Sequence, residues 1–437
     1  MDEPLVVPFA GGPVYGRLRP PGSKSLTNRA LALAGFADGV SLLRHALFSE
    51  DSLVMVGCLG ALGVHVRMDE HAGSMQVHGC HGLLSASEAE LDCRLSGTTL
   101  RFLMAMCGTQ AGWYRFDGTA RMRQRPVGEL GTALAALGCE VRYEQAQGFV
   151  PLQLSGSGMQ GGEVEFVDPP SSQVVSALLM AGAMSRSDLF VSVRGDLPSA
   201  PYVSMTLSLL ERFGVQSVGA MDQSSRYVVP GQQRISAVDL VIEPDASSAS
   251  YFLAAAAAVG GEVRIEGVGT SSLQGDAGFA RVLGLMGCEV EQEAQATVVR
   301  RDPRRRLVGV DVDLNAMPDM AQTLAVLALL AEGPTVIRNV SNLAIKETDR
   351  LTAVTQEARK LGGRVEQTTD GWRIEPPERL VPAVVESWGD HRMAMAFSVA
   401  GLACEGVAIA GWECVGKTYP GFFDDLGRLV RGDFVPA

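Results

Sequence analysis

At 437 residues the chain is long enough for two or three domains of about 150 residues each. Hydrophobic residues make up 46 % of it and charged residues 20 %, which excludes a disordered or collagen-like chain. The formal charge of −12 disfavours general binding to nucleic acid or to an anionic membrane, so we expect neither as a partner.

The eight cysteines are scattered without a CxxC pair, and the first residues carry two acids rather than a basic leader. We therefore expect reduced thiols, a cytoplasmic location and no signal peptide. The longest apolar run, near 251–261, is shorter than the roughly 20 residues that span a bilayer, so no membrane segment is predicted.

Two kinds of helix alternate along the chain with a period of about 74 residues. One kind is apolar on nearly every side and is predicted to be buried. These segments lie at 26–39, 99–112, 171–185, 248–261, 319–333 and 391–406. The other kind is amphipathic and ends in glycine, which predicts surface helices with glycine C-termini. The glycines are Gly63, Gly138, Gly214, Gly287 and Gly362, with a degenerate sixth helix at 422–432.

Short extended runs flank each buried segment, so the sequence predicts six copies of strand, buried helix, strand, surface helix and strand. Six copies exceed one hydrophobic core, which favours an α/β fold of two lobes with three units each. We expect one lobe at 21–240 and the other at 1–20 and 241–437, with hinges near 20–21 and 240–243. A non-catalytic repeat scaffold is the alternative, although solenoid repeats usually have only about 20–50 residues.

Cations occur where the buried helices are predicted to begin. Helix N-termini present unpaired N–H groups and partial positive charge, so several of them on one face can bind an anion. Lys24, Arg29 and Arg392 lie at such starts, although a cation there opposes the helix dipole. We infer that these three side chains require a bound anion. Serine, threonine and aspartate at the same starts are also explained as ordinary N-caps.

Lysine is rare: only Lys24, Lys346, Lys360 and Lys417 occur among 37 basic residues. We expect lysine to be kept where a compact ammonium is needed. Three of the four lie in the polar segments, whereas Lys360 lies in the last turn of a predicted helix, where a cation is favoured.

Further polar segments surround Arg125 and residues 342–351, although helical ion pairs are an alternative explanation for the second. Converging cations predict substrates that carry phosphates and carboxylates. Asp319 and Glu347 are the candidate general acid and base. No nucleotide-binding fingerprint is present, and the four histidines between 65 and 81 lie on a predicted exposed hairpin, so we expect no cofactor and no metal.

Nine segments together resemble the 5-enolpyruvylshikimate-3-phosphate synthase family. In chain order, between residues 21 and 420, they are PGSKSLTNRAL, SGTTLRFL, RPVGEL, SSQVVSALLMAG, PSAPYVSMTL, EPDASSASYF, KETDRL, GDHRMAMA and KTYP. The resemblance implies two lobes, each of three βαβαββ units with parallel buried helices, forming an inside-out α/β barrel. It further implies a monomer that binds shikimate-3-phosphate and phosphoenolpyruvate (PEP) between lobes that close.

The reaction implied by the resemblance is addition–elimination without metal or cofactor, in aromatic amino-acid biosynthesis. Asp319 would take the proton of the 5-hydroxyl, which attacks C2 of PEP, while Glu347 with Lys24 protonates the methylene carbon and phosphate then leaves. The residues assigned to shikimate-3-phosphate are Lys24, Ser25, Arg29, Ser171, Ser172, Gln173, Ser199, Tyr202, Asp319, Asn342 and Lys346. Those assigned to PEP are Lys24, Gly97, Thr98, Arg125, Gln173, Arg350, Arg392 and Lys417.

One position departs from the family pattern. Arg94 and Leu95 precede the Ser-Gly-Thr turn, where the family usually has Asn, so one PEP contact is missing and Arg94 is the candidate to replace it. Sensitivity to the PEP mimic glyphosate therefore does not follow from the resemblance. UDP-N-acetylglucosamine enolpyruvyl transferase shares the fold but has a reactive Cys where this chain has Ala120.

Overall fold

The computed structural model describes residues 3–220 and 226–434. Contacts divide the chain into two compact units. The central unit comprises Gly22–Ile242, and the terminal unit comprises Met1–Pro21 and Glu243–Ala437. No helix in the described ranges combines the length and apolarity needed to cross a membrane.

Helices are distributed evenly between the two units. The α-helices are α1 Lys24–Phe36, α2 Glu50–Ala61, α3 Gly97–Gly108, α4 Gly128–Ala136, α5 Ser172–Gly182, α6 Pro201–Arg212, α7 Ala246–Val259, α8 Phe279–Leu285, α9 Ala321–Ala328, α10 Arg350–Lys360, α11 His391–Ala403 and α12 Phe422–Arg431. Short 3-10 helices occur at Met122–Gln124, Gly275–Gly278, Pro318–Met320, Ser341–Ile345 and Trp412–Lys417.

The strands are short. Those that belong to residues 5–167 are β1 Leu5–Val6, β2 Val14–Leu18, β3 Val40–Arg44, β4 His65–Asp69, β5 Ser74–His78, β6 Glu88–Asp92, β7 Ala111–Asp117, β8 Glu140–Tyr143, β9 Leu152–Ser157 and β10 Gly162–Val167. They are followed by β11 Leu189–Arg194, β12 Val218–Ala220, β13 Arg226–Val229, β14 Asp239–Val241, β15 Gly261–Glu266, β16 Glu289–Gln292, β17 Ala296–Arg301 and β18 Leu307–Val308. The last strands are β19 Asp311–Asp313, β20 Ala331–Glu332, β21 Thr335–Arg338, β22 Arg364–Gln367, β23 Trp372–Glu375, β24 Val384–Glu386 and β25 Ala408–Ala410.

Helix burial follows the predicted alternation. The helices with odd numbers, α1 to α11, are buried over nearly their whole length. The helices with even numbers bury one face only. The five glycines predicted to end surface helices have φ between 75° and 97°, a conformation that suits glycine because it has no Cβ. Both predictions are confirmed.

Helix α9 is shorter than the predicted segment 319–333. Its first turn is a 3-10 helix that begins at Pro318, which has no N–H to give to an α-helix. At its other end the chain leaves the helix after Ala328, and β20 pairs in parallel with β18. Pairing of these two short strands therefore limits the helix, and the apolar pattern alone could not reveal it.

The described part of the central unit contains three four-stranded sheets with one common strand order. In two of the sheets the strand before a buried helix pairs in parallel with the strand after it, as in β6 with β7, and two antiparallel strands complete the sheet. In the third sheet the parallel partner of β3 is β14, which precedes α7. The sheets have the orders β14-β3-β5-β4, β6-β7-β9-β8 and β10-β11-β13-β12. This arrangement places a helix start after the first strand of each repeat.

Within the terminal unit the same order recurs in β16-β17-β15-β2 and β19-β21-β23-β22. Strand β2 supplies the first strand of its sheet and pairs in parallel with β15, which ties residues before Pro21 to this unit. A three-stranded sheet, β1-β25-β24, belongs to the last repeat: β24 precedes the buried helix α11, β25 follows it, and β1 is added from the start of the chain. The alanine run 254–257 in α7 has no exposed surface, because small side chains allow the buried helices to pack closely.

Candidate active site

In the central unit, the starts of the buried helices lie together. Asn28 in α1 donates a hydrogen bond from Nδ2 to Thr98 Oγ1 in α3, at 2.7 Å. Arg101 in α3 donates from Nη1 to Gln173 Oε1 near the start of α5, at 3.2 Å. The two bonds join three helix starts whose residues lie about 70 positions apart in the sequence. This juxtaposition places their N–H groups on one face of the unit.

Arg101 organises the glycine turn at the start of α3. Besides Gln173, its guanidinium donates to the carbonyl oxygens of Gly97 at 3.2 Å and Pro126 at 2.7 Å. Arg125, which is 4 % exposed, donates to the carbonyl oxygen of Leu95 at 3.4 Å. A Cβ on Gly97 would lie 2.9 Å from Nη1 of Arg101 and 2.9 Å from Nη2 of Arg125. The absence of a side chain at Gly97 thus lets two guanidinium groups approach the turn.

Arg29 is a buried cation without a carboxylate partner among the described residues. Its guanidinium donates to Thr206 Oγ1 at 2.8 Å and to Ser176 Oγ at 3.3 Å, and it is 1 % exposed. Burial lowers the pKa of Arg29 to about 10. Neutral hydroxyls satisfy its N–H groups but do not balance its charge, so an anion nearby would be strongly favoured.

The remaining predicted residues of the central unit lie around these starts. Lys24 is the first residue of α1, and its ammonium lies 3.5 Å from Asp51 Oδ2 in α2. Ser25 accepts a hydrogen bond from Arg29 at its carbonyl oxygen. Ser171 caps α5, and Ser172 is its first residue. Ser199, with φ of 60°, accepts the N–H of Tyr202 in α6.

The terminal unit holds a buried guanidinium surrounded by three acids. Arg350 is 1 % exposed and donates to Asp390 Oδ2 at 2.7 Å, Asp319 Oδ1 at 2.9 Å and Glu347 Oε2 at 2.9 Å. Burial lowers the pKa of Arg350, but Asp390, Glu347 and Asp319 outweigh that effect, so the pKa lies above its ordinary value. Arg350 therefore stays charged and fixes both candidate acid–base groups relative to each other.

Asp319 lies between two guanidinium groups. Its second oxygen, Oδ2, accepts from Arg392 Nη2 at 2.8 Å. Arg392 also donates to Ser247 Oγ at 3.2 Å and to the Tyr251 hydroxyl at 3.4 Å, both on α7. The starts of α7, α9 and α11 thus meet in this unit, as those of α1, α3 and α5 do in the other.

A second carboxyl group lies behind Arg392. Asp276 is 2 % exposed and accepts a short hydrogen bond from Ser247. Burial, followed by the negative charge of Asp319, raises the pKa of Asp276 to about 6. This residue can therefore change its protonation state close to neutral pH.

Asn342, Lys346 and Lys417 complete the terminal set. Asn342 is 6 % exposed, and neither Nδ2 nor Oδ1 of its side chain has a hydrogen-bond partner among the described residues. Buried amides are nearly always hydrogen-bonded, so this amide suits a polar ligand. Lys346 follows the 3-10 helix Ser341–Ile345, and Lys417 ends another at 4 % exposure.

One inference from the sequence was wrong. Lys24 and Arg392 do not require a bound anion at their helix starts, because Asp51 and Asp319 supply negative charge. The compensating carboxylates come from other repeats, which a reading of local segments could not reveal. Arg94, in turn, is exposed and lies 3.8 Å from Asp92, while the Leu95 carbonyl contacts Arg125.

Sequence reasoning missed several polar residues of these clusters. They are Asp51, Arg101, Ser247, Tyr251 and Asp276. Asp390 lies in the segment GDHRMAMA but was given no role. A signal was present for Arg101 alone, since it is a charged residue inside an otherwise apolar helix. No group of three or more metal-ligating side chains occurs in ranges 3–220 and 226–434.

Comparison with known proteins agrees with this geometry. The family model described as EPSP synthase (3-phosphoshikimate 1-carboxyvinyltransferase) matches residues 9–426. The chain belongs to the EPSP synthase family. A 3-phosphoshikimate 1-carboxyvinyltransferase of Nostoc sp. is 41 % identical over 428 residues, which cover 98 % of this chain and 100 % of the relative. The enzyme of that name from Photobacterium profundum is 42 % identical over 419 residues, 96 % of this chain and 97 % of the relative.

Solved structures share the EPSP synthase fold. EPSP synthase from Acinetobacter baumannii superposes with a TM-score of 0.80 at 24 % identity, covering 98 % of this chain and 97 % of that one. The enolpyruvyl transferase NikO from Streptomyces tendae gives a TM-score of 0.77 at 19 % identity, covering 98 % of both chains. The predicted enolpyruvyl transferase-like α/β fold is therefore confirmed.

Proposed function

We propose that this chain transfers the enolpyruvyl group of PEP to the 5-hydroxyl of shikimate-3-phosphate and releases phosphate. Its membership of the EPSP synthase family supports this reaction. The observation that carries the proposal is the position of Asp319, whose two oxygens accept from Arg350 at 2.9 Å and Arg392 at 2.8 Å. A carboxylate held between two guanidinium groups combines a proton acceptor with a binding site for an anionic substrate.

The proposed chemistry needs two proton transfers in the addition step and two in the elimination step. Asp319 takes the proton of the 5-hydroxyl while the hydroxyl oxygen of shikimate-3-phosphate bonds to C2 of PEP. Glu347, together with Lys24, gives a proton to the methylene carbon, which becomes a methyl group. The methyl group then loses a proton as the C2–O bond to phosphate breaks, which restores the double bond. Phosphate leaves with the proton that the 5-hydroxyl lost.

Binding is proposed for the remaining residues, and local contacts support it in three cases. Arg29 carries an uncompensated buried charge, and Asn342 an unpartnered buried amide. Arg125 and Arg101 flank the open side of Gly97. We assign the shikimate-3-phosphate and PEP sets as the family resemblance does. Arginine suits carboxylates and phosphates because it offers paired donors, whereas lysine supplies a compact charge.

Release of phosphate from PEP plus shikimate-3-phosphate tests the function, with UDP-N-acetylglucosamine as the competing acceptor. Of the two acceptors, we expect only shikimate-3-phosphate to support phosphate release from PEP. Activity with the nucleotide sugar only would overturn the proposal. Asp319→Ala should lower kcat by roughly 10²- to 10⁴-fold, the range for losing a general base. Both substrates should still bind within about tenfold of the wild type, because their cationic contacts remain.

Asp311→Ala is the matched control for Asp319→Ala. Asp311 lies in β19 and pairs with Arg338 at 2.7 Å, and both side chains are half exposed. An exposed pair contributes only about 0–1 kcal/mol, so activity should stay within about twofold of the wild type. Unchanged turnover in Asp319→Ala would remove Asp319 from the mechanism.

We further propose that the two compact units are the two lobes predicted from the sequence, at 21–240 and at 1–20 with 241–437. A monomeric, cytoplasmic enzyme is proposed with them. Size-exclusion chromatography with light scattering tests the monomer, and a dimer at micromolar concentration would contradict it.

A further inference from the structure

The terminal unit contains an arginine-rich cavity away from the candidate active site, which we call the arginine pocket. Its volume is about 200 Å³, and four arginines line it: Arg301, Arg305, Arg306 and Arg379. Glu378 is the one acidic residue in its lining among the described residues. Such a concentration of positive charge is unusual in a chain with a formal charge of −12.

This arginine pocket lies at the opposite end of the buried helices from Asp319. Ala258, near the C-terminal end of α7, lines it, as do Leu329 and Leu330 just after α9. Ser247, which contacts Arg392, lies at the other end of α7. At 1.5 Å per residue, the two ends are about 17 Å apart. A small ligand in the arginine pocket therefore cannot touch the residues around Asp319.

Part of the positive charge has a structural explanation. Arg301 donates from Nη2 to the carbonyl oxygen of Ala258 at 3.1 Å, and a cation is favourable at a helix C-terminus. Its Nη1 donates to the carbonyl oxygens of Asp302 and Arg305, so Arg301 contributes positive charge to the cavity rather than open donors.

Two of the other lining arginines lack an acidic partner among the described residues. Arg306 lies 3.7 Å from Glu332 in a pair that is largely exposed. The carboxylate of Asp302 accepts from Arg304 at 2.9 and 3.1 Å, so Asp302 does not pair with the lining arginines. Neither Arg305 nor Arg379 forms a side-chain hydrogen bond or ion pair with the described residues. Their guanidinium groups are therefore the donors left for a ligand in the cavity.

Another cavity of the terminal unit, which is lined by Arg359, Arg364 and Arg373, provides a contrast to the arginine pocket. Arg364 and Arg373 lie 3.5 and 3.6 Å from Glu375, and Arg359 donates to the carbonyl of Val365 at 2.6 Å. Its lining balances cations with acids, including Glu366. Arginine content alone therefore does not make an anion site, and the missing acids distinguish the arginine pocket.

We propose that the arginine pocket binds a small organic phosphate, a phosphate monoester with a compact apolar group. Guanidinium groups from two separate segments, 301–306 and 377–380, suit a phosphate with three free oxygens better than a planar carboxylate. Leu307, Leu329 and Leu380 provide an apolar wall for the organic part. The cavity is smaller than the roughly 300–1,000 Å³ of pockets for drug-sized ligands, which limits the ligand to a small one.

Isothermal titration with phenyl phosphate tests this proposal in the full-length protein. Arg305→Ala/Arg379→Ala should abolish one binding event, or weaken it about tenfold or more, because two charge-assisted contacts are lost. The same variant should keep the phosphate-release activity of the wild type and its melting temperature, since both side chains are exposed and form no side-chain hydrogen bond or ion pair within the described ranges. The stabilisation by phenyl phosphate in thermal unfolding should disappear with the binding event.

Arg304→Ala/Arg364→Ala is the matched control, because it removes the same charge from the same unit outside the arginine pocket. It should bind phenyl phosphate like the wild type. Equal losses in both double variants would show an effect of net charge and overturn the proposal, as would unchanged binding in Arg305→Ala/Arg379→Ala. Citrate binding as tight as that of phenyl phosphate would overturn the phosphate class. Long-chain polyphosphate binding far more tightly would replace the small-ligand site with a polyanion surface.

Discussion

Gly97→Ala is the most discriminating change in the central unit. The new Cβ would lie 2.9 Å from a nitrogen of Arg101 and 2.9 Å from one of Arg125, so both guanidinium groups must move by several tenths of an ångström. Arg101 donates to Gly97, Gln173 and Pro126, and Arg125 donates to the carbonyl oxygen of Leu95, so the new Cβ disturbs the contacts of both groups. Arg125 is one of the residues proposed to bind PEP.

The expected magnitude follows from the loss of one charge-assisted contact to the substrate. Hydrogen bonds to charged groups contribute about 1.5–3 kcal/mol, which corresponds to an increase of roughly 10- to 150-fold in KM for PEP. Stability should change little, because the atoms that the new Cβ meets are the ends of side chains. The KM for shikimate-3-phosphate should stay close to that of the wild type.

Steady-state kinetics with each substrate varied in turn, together with thermal unfolding, measure these effects. Gly60→Ala is the control, since a Cβ on Gly60 in α2 meets no atom within 4 Å. It should raise stability by at most about 1 kcal/mol and leave both KM values unchanged. If Gly97→Ala keeps the KM for PEP within about twofold of the wild type, the crowding of Arg101 and Arg125 does not affect binding and the reasoning is refuted.

Three further changes probe buried polar groups of the terminal unit. The pKa of Asp276 is about 6 against an ordinary 3.8, so the folded protein binds the carboxyl proton more tightly than the unfolded chain does, and stability falls as pH rises from about 4 to 6. Asp276→Asn should remove this fall and add at most about 3 kcal/mol to the free energy of unfolding at pH 7, measured by denaturant unfolding. Gln322 is fully buried and its amide has no partner among the described residues, so Gln322→Met should raise stability by about 1–3 kcal/mol in thermal unfolding. Glu357 accepts from the Glu386 N–H at 3.0 Å and from Trp388 Nε1 at 2.9 Å just before α11, so Glu357→Ala should cost about 2–4 kcal/mol and lower kcat.

A different experimental result would contradict each of these predictions. An unchanged slope of stability against pH in Asp276→Asn would show that another group titrates there. A lower melting temperature in Gln322→Met would mean that the amide makes a bond worth keeping. For Glu357, Glu357→Gln keeps one acceptor and should restore much of the stability; equal damage from both variants would assign the effect to the charge pair with Lys360.

The alternation of buried and amphipathic helices could be predicted because it is encoded locally. The spacing of apolar residues within one helix shows whether the helix is buried on all sides or on one side only. The glycines after the surface helices are equally local, since a left-handed residue favours glycine whatever packs around it. The length of α9 was different, because a pairing of β18 with β20 ended it.

The polar segments of the candidate site were recognisable, but their pairings were not. Arg350 lies 40 positions from Asp390, and Arg101 lies 72 positions from Gln173. Sequence spacing cannot tell a cation that meets a carboxylate from one that meets only neutral hydroxyl and carbonyl oxygens, as Arg29 does among the described residues. Asp276 gives no local sign that burial raises its pKa.

The sequence by itself determined the repeat, the burial of each helix and the family, because these depend on residue order within short segments. Tertiary structure alone decided which charges are balanced. It paired Arg392 with Asp319, left Arg29 among hydroxyls, and gathered the arginines of two distant segments into the arginine pocket. Electrostatic energy depends on distance in space and on exclusion of water, and neither quantity is a property of spacing along the chain.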